Sequence, residues 1–157
     1  MISSFYARVV PMKPLATTTL DPGDKGSLLS RITELLSAKE PILFAYCYGS
    51  FLRDEPFRDI DVGVYLDPNV FKGPDEMFDY TLALGAELDV ALSGATIDLR
   101  PLNLAPLPFK FGVLTQGRLL FTRDREQQID FEGRTRSLYF DFLPHLRFYY
   151  ERIVLGE

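Results

Sequence analysis

YGSFLRDEPFRDIDVGVYL, residues 48–66, is the stretch on which the fold turns. From Asp59 to Leu66 the apolar residues Ile60, Val62, Val64 and Leu66 alternate with Asp59, Asp61, Gly63 and Tyr65. Period two predicts a strand with one face in the core and one outward. Just before it, Ile42–Tyr48 is a short, continuously apolar run of the length of a buried strand. Gly49-Ser50 follows at once, then a polar turn through Asp54, Glu55 and Pro56. A glycine and a hydroxyl where a buried strand gives way to a turn offer free backbone N–H groups and close approach to an anion such as phosphate. Asp59 and Asp61, two residues apart on a strand, share its exposed face.

Working outward, Asp21-Pro22 reads as a helix start, a capping carboxylate before a proline at the first helical position. Leu28, Leu29, Ile32, Leu35 and Leu36 then form one apolar helical face that ends near Ala38. Gly73-Pro74 opens a second helix, with Met77, Leu82, Leu84, Leu88 and Leu92 as its expected buried positions and Ser93-Gly94 as its end. Thr96–Leu102 alternates again and puts Asp98 in the same outward phase as Asp59 and Asp61. A short helix through about Thr115, a strand Arg118–Thr122 and a final helix or helix pair interrupted by Pro144 complete the chain. Helices alternating with a mixed sheet of about four to five strands predict a two-layer α/β or α+β domain. Residues 1–20 read as an extended or short-strand extension and residues 21–157 as the domain proper.

Composition narrows the function. At 157 residues, with 46% hydrophobic and 25% charged, the chain reads as one ordinary globular domain. A single cysteine, Cys47, excludes an intramolecular disulfide, and a single histidine, His145, excludes a His-rich metal centre. The net charge of −5 argues against generic duplex binding. No apolar stretch approaches the roughly 20 residues needed to span a bilayer, and no secretory signal is evident, so no membrane role and a cytoplasmic location are expected.

If the strands bearing Asp61 and Asp98 are neighbours, three carboxylates converge. Two like charges about 4 Å apart repel by roughly 4 kcal/mol at an effective dielectric of 20, so such a cluster calls for a cation. Mg²⁺ takes oxygen ligands and keeps sites open for substrate phosphates. Two such ions, about 3.5–4 Å apart, would serve both the attacking and the leaving oxygen of an in-line displacement. Asp98 is the carboxylate expected to help remove the proton of the incoming hydroxyl.

Gly49, Ser50, Asp59 and Asp61, with Asp98 in TIDLRPL, together resemble the minimal nucleotidyltransferase (MNT) group of the DNA polymerase β-type superfamily. Its signature is Gly-Ser, a spacer and Asp-x-Asp. The likeness spans roughly residues 24–155 and includes FGVLTQGRLLFTRD (residues 111–124) and the Tyr139-Phe140-Asp141 segment. The spacer from Ser50 to Asp59 is eight residues, shorter and more acidic than the group's usual turn. The resemblance implies a polymerase β-type fold and, for chains of this size, the antitoxin half of a HEPN/MNT toxin–antitoxin pair. The implied chemistry is Mg²⁺-dependent transfer of AMP from ATP to a tyrosine of the cognate HEPN ribonuclease. It also implies that Gly49, Ser50 and Arg53 bind the nucleotide while Asp59, Asp61 and Asp98 hold metal. Alternatives are a small-molecule adenylyltransferase of the aminoglycoside kind and a binding module that silences its partner by docking alone.

Other residues weigh less. Cys47 is expected to be a buried hydrophobe. Gly23-Asp24-Lys25-Gly26-Ser27 lacks the order of a phosphate loop. Arg118, Arg123, Arg125, Arg134 and Arg136 read mainly as a solvated face. The aromatics Tyr139, Phe140, Phe142, Phe148, Tyr149 and Tyr150 exceed what one helix face can bury, which leaves some for protein docking.

Overall fold

The computed structural model describes residues 20–53 and 55–156, so the expected extension over residues 1–20 lies almost wholly outside it. Helix α1 (Pro22–Ser37) leads into strand β1 (Ile42–Tyr48), a 3-10 turn (Ser50–Leu52) and strand β2 (Asp59–Leu66). Helix α2 (Pro74–Ala91) and strand β3 (Thr96–Pro101) follow, then a second 3-10 turn (Leu102–Leu104), helix α3 (Leu107–Gln116), strand β4 (Arg118–Thr122) and helix α4 (Arg125–Leu155).

The described strands form one sheet in the order β3-β2-β1-β4. β1 pairs antiparallel with both β2 and β4, whereas β2 and β3 run parallel. The mixed pattern follows from the connections. A 3-10 turn suffices to reverse β1 into β2, while the parallel β2–β3 step needs a crossover, which α2 supplies.

Both faces of the sheet are covered. Ala45, Cys47, Ile60, Val62, Val64, Ile97 and Leu99 pack with Leu29, Ile32 and Leu36 of α1 and with Met77, Leu84 and Leu88 of α2. On the opposite face Phe44 and Tyr46 pack with Leu102, Val113 of α3 and Phe131 of α4. The expected two layers are therefore three, because α4 contributes Phe131 to a second core that the sequence pattern does not single out.

Two further expectations change. Leu82 is 65% exposed, and the buried stripe of α2 is Met77, Thr81, Leu84, Gly85 and Leu88. Thr81 can take the inward place because its hydroxyl donates to the Phe78 carbonyl at 2.9 Å, so no polar group is orphaned. Pro144 lies inside α4 and does not divide it. The proline removes one backbone donor, and the helix around it is exposed enough for water to take up the freed carbonyl.

Candidate active site

The end of β1 and the starts of β2 and β3 meet at one rim of the sheet. Tyr48 lies opposite Asp61, and Asp61 lies opposite Asp98, so these three occupy adjacent positions across three neighbouring strands. Lateral partners share a sheet face, so the carboxylates of Asp61 and Asp98 emerge on the same side, and Asp59 joins them by its i, i+2 relation to Asp61. The face is the one that α3 covers further along, where Phe109 meets the Tyr48 ring edge-on at 5.4 Å.

Gly49 is required here twice over. Its φ of +82° lies in the region that only glycine adopts freely, and a Cβ on it would run into Asp61 Oδ2. The Asp61 carboxylate is thus seated directly against the bend that carries Ser50. The bend is closed by Leu52 N–H donating to the Gly49 carbonyl at 3.2 Å and Arg53 N–H to the Ser50 carbonyl at 3.1 Å.

Lys25 of α1 holds the same bend from below. Its ammonium donates to the Phe51 carbonyl at 3.0 Å and the Arg53 carbonyl at 2.9 Å, and it lies over the rings of Phe51 and Phe57. A cation satisfying two carbonyls and two ring faces is a fixed clamp on the turn, which Phe51 also anchors in the core. The segment around Lys25 lies in helix α1 and supports the turn that follows β1. Nothing in local sequence signals this, since the partners are 26 and 28 residues away.

The electrostatics record the crowding of charge. Asp61 has its carboxyl raised from the ordinary value, first by burial and then by the negative charges of Asp98 and Asp59. Among the described residues the positive group acting against that rise is Arg100, two residues beyond Asp98 on the same strand face. Its guanidinium donates to Asp98 Oδ2 from Nε at 3.1 Å and from a terminal nitrogen at 2.9 Å. Tyr48 is raised first by burial and then by the negative charges of Asp61 and Asp98, and its hydroxyl is buried with no hydrogen-bond partner among the described residues.

Six residues were expected at this site. Gly49, Ser50, Asp59, Asp61 and Asp98 come together at the rim. Arg53 ends the 3-10 turn, is exposed, and directs its guanidinium to Glu55. Arg100, Lys25 and Tyr48 were not singled out beforehand. For Arg100 the signal was present, because i+2 from Asp98 on a strand fixes its face.

The fit to a divalent cation rests on donor chemistry. Carboxylate oxygens suit Mg²⁺, which is usually held by one or two protein carboxylates together with substrate phosphates. Asp61 and Asp98, lateral partners on β2 and β3, provide such a pair. Among the described residues no three acidic, histidine or cysteine side chains converge into a ready-made cage, and one oxygen of Asp98 faces Arg100.

Other groups are accounted for by structure. Cys47 is fully buried, and burial together with Asp61 pushes its thiol up to about 12, which leaves it inert. Arg123 is no solvated charge, since it donates to the carbonyls of Ile42, Ser37 and Lys39 and ties α1, β1 and β4 together. Tyr139 stacks on Phe111 at 3.8 Å, whereas Phe148, Tyr149 and Tyr150 are each more than 60% exposed. No described helix is long and apolar enough to cross a membrane.

Comparison with known proteins identifies a family and structures of similar fold. Residues 30–126 match the family described as Polymerase beta, Nucleotidyltransferase. No curated protein matches the sequence significantly. Among solved structures, the fold is similar to a chain of the tri-AMPylated Shewanella oneidensis HEPN toxin in complex with MNT antitoxin. That likeness has 22% identity and a TM-score of 0.56, over 84% of this chain and 97% of that one. A toxin–antitoxin structure with AMP-PNP is similar at 23% identity and TM-score 0.56, over 82% of this chain and 96% of that one. A mutant of the toxin–antitoxin MntA–HpeT is similar at 24% identity and TM-score 0.60, over 80% and 94% of the respective chains.

Proposed function

Because the chain belongs to the polymerase beta nucleotidyltransferase family, we propose that it transfers AMP from ATP to a tyrosine of a HEPN-type ribonuclease and thereby acts as that toxin's antitoxin. The observation that carries this reading is the seating of Asp61 against Gly49 with Asp98 laterally beside it. The bend places backbone N–H groups and a hydroxyl for phosphate next to carboxylates able to hold a cation. The likeness to a chain crystallised with an AMPylated toxin, and to another with AMP-PNP, favours a protein acceptor and an adenine nucleotide.

In this mechanism the backbone at Gly49 and Ser50 cradles the triphosphate and leaves the α-phosphorus facing the carboxylates. The acceptor hydroxyl attacks that phosphorus, a new O–P bond forms, and the bond to the departing pyrophosphate breaks. The hydroxyl proton passes to a carboxylate, a role we assign to Asp98 because it lies on the edge strand, where a partner can approach. Asp61 and Asp98, with Asp59 beside them on β2, would hold Mg²⁺, and the ion would supply charge neutralisation at the phosphates and the attacking oxygen. The exposed aromatics in the C-terminal part of α4 supply an apolar surface for the partner.

The test is co-expression with the HEPN-type partner followed by intact mass measurement. One or more AMP additions on a partner tyrosine, lost with D61N, are expected. Silencing of the ribonuclease by an unmodified partner complex would instead support docking alone, for which the same aromatic face would suffice. Transfer to an aminoglycoside-type hydroxyl with the partner left unmodified would support the small-molecule reading.

A further inference from the structure

Arg100 has no part in the chemistry derived so far, and its position beside Asp98 is specific. Two of its nitrogens engage the same carboxylate oxygen, and its guanidinium carbon lies 5.7 Å from the centre of the Phe109 ring. The guanidinium is held between an anion and an aromatic face, a geometry that fixes it beside the carboxylates although its side chain is 55% exposed. Its lateral neighbour on β2 is Gly63, over which the Leu102 side chain packs. The groups facing it are Asp98 of its own strand, Asp61 of β2, Tyr48 of β1 and Phe109 of α3. Arg53, by contrast, is occupied by Glu55.

We infer that Arg100 is the resident counter-ion of the carboxylate cluster and competes with a divalent cation for Asp98, so that the metal binds weakly until a nucleotide accompanies it. The inference rests on the proposed function, since it takes these carboxylates as the metal-binding groups. A metal ion that takes Asp98 Oδ2 displaces the guanidinium, which is left near like charge unless an anion arrives with the metal. The phosphates of a nucleotide are such an anion, and they give the freed arginine a bidentate partner. Metal and nucleotide are thereby coupled through one side chain, and coupling of this kind is reciprocal.

The experiment reads metal binding directly, by electron paramagnetic resonance of free Mn²⁺ titrated with protein in the absence and presence of AMP-PNP. Without nucleotide, R100Q is expected to bind Mn²⁺ about five- to tenfold more tightly than wild type, the size set by removing one charge at a partly exposed pair. R100K keeps the charge and is expected to stay within about twofold of wild type, by the same reasoning. AMP-PNP should strengthen Mn²⁺ binding in wild type and do so less in R100Q. R100M serves as a second neutral variant, and circular dichroism confirms the fold of each. Equal or weaker Mn²⁺ binding in both neutral variants overturns the inference, as does equal tightening in R100K. If these variants fail to tighten while wild type still transfers AMP, only the role of Arg100 falls. If wild type neither retains Mn²⁺ nor transfers AMP, the proposed function falls with it.

Discussion

Replacing Asp61 by asparagine should make the metal-free protein more stable while abolishing its chemistry. Asp61 and Asp98 are lateral partners on adjacent strands, about 5 Å apart at the backbone. At that separation two negative charges repel by roughly 1–3 kcal/mol for effective dielectrics between 80 and 20. Arg100 offsets part of this through Asp98, and solvent screens the half-buried pair, which leaves a gain of about 0.5–1 kcal/mol for D61N. The sign follows from the raised carboxyl of Asp61. The folded state binds its proton more tightly than the unfolded chain does, so stability is lost as pH rises from the ordinary carboxylate value through the raised one. Asparagine escapes that loss. Urea denaturation in EDTA at pH 7 should therefore show D61N above wild type, with the difference vanishing below the ordinary value of 3.8. In parallel, transfer of AMP should fall by a factor on the order of 10² or more. A D61N protein less stable than wild type at pH 7 in EDTA would refute the electrostatic reasoning, and one that still transfers AMP would refute the role of Asp61.

Other outcomes test the scaffold of the site. G49A is expected to lose about 1–3 kcal/mol in chemical denaturation, from the positive φ and from the collision with Asp61, and to lose transfer at least tenfold. K25M removes the clamp on the Ser50–Leu52 turn. A stability loss of about 1–2 kcal/mol should accompany a rise in KM for ATP that exceeds any fall in kcat. Cys47 should resist a thiol reagent at pH 8 in the folded protein and react only after unfolding, because burial pushes the thiol to about 12.

The legible part of the fold was the part with short-range periodicity. The bounds of β1, β2 and β4 follow from runs of one hydrophobic period ended by Gly49, Asp67 and Arg123. The misread positions depend on what lies above them. Leu82 looks like a core residue in α2, yet the approach of that helix to β3 favours Thr81 and Gly85 one step around the helix. Pro144 looks like a break, yet an exposed helix tolerates it. At the site, Gly49, Ser50 and the Asp-x-Asp pair are adjacent in sequence and could be read together. Lys25 and Arg123 act on carbonyls more than 25 residues away, so no local pattern marks them.

The alternation of side chains along a strand is a property of the covalent chain, so the outward phase of Asp59, Asp61 and Asp98 was already present in the linear order of residues. Which strands lie side by side is not such a property. It is decided when α2 crosses over and lays β3 parallel to β2, setting position 98 against position 61. Arg100 lies beside Asp98 by its i, i+2 place on β3, and the pairing brings both to that cluster. Charge interactions depend on distance through space, and that distance exists only once the sheet has formed.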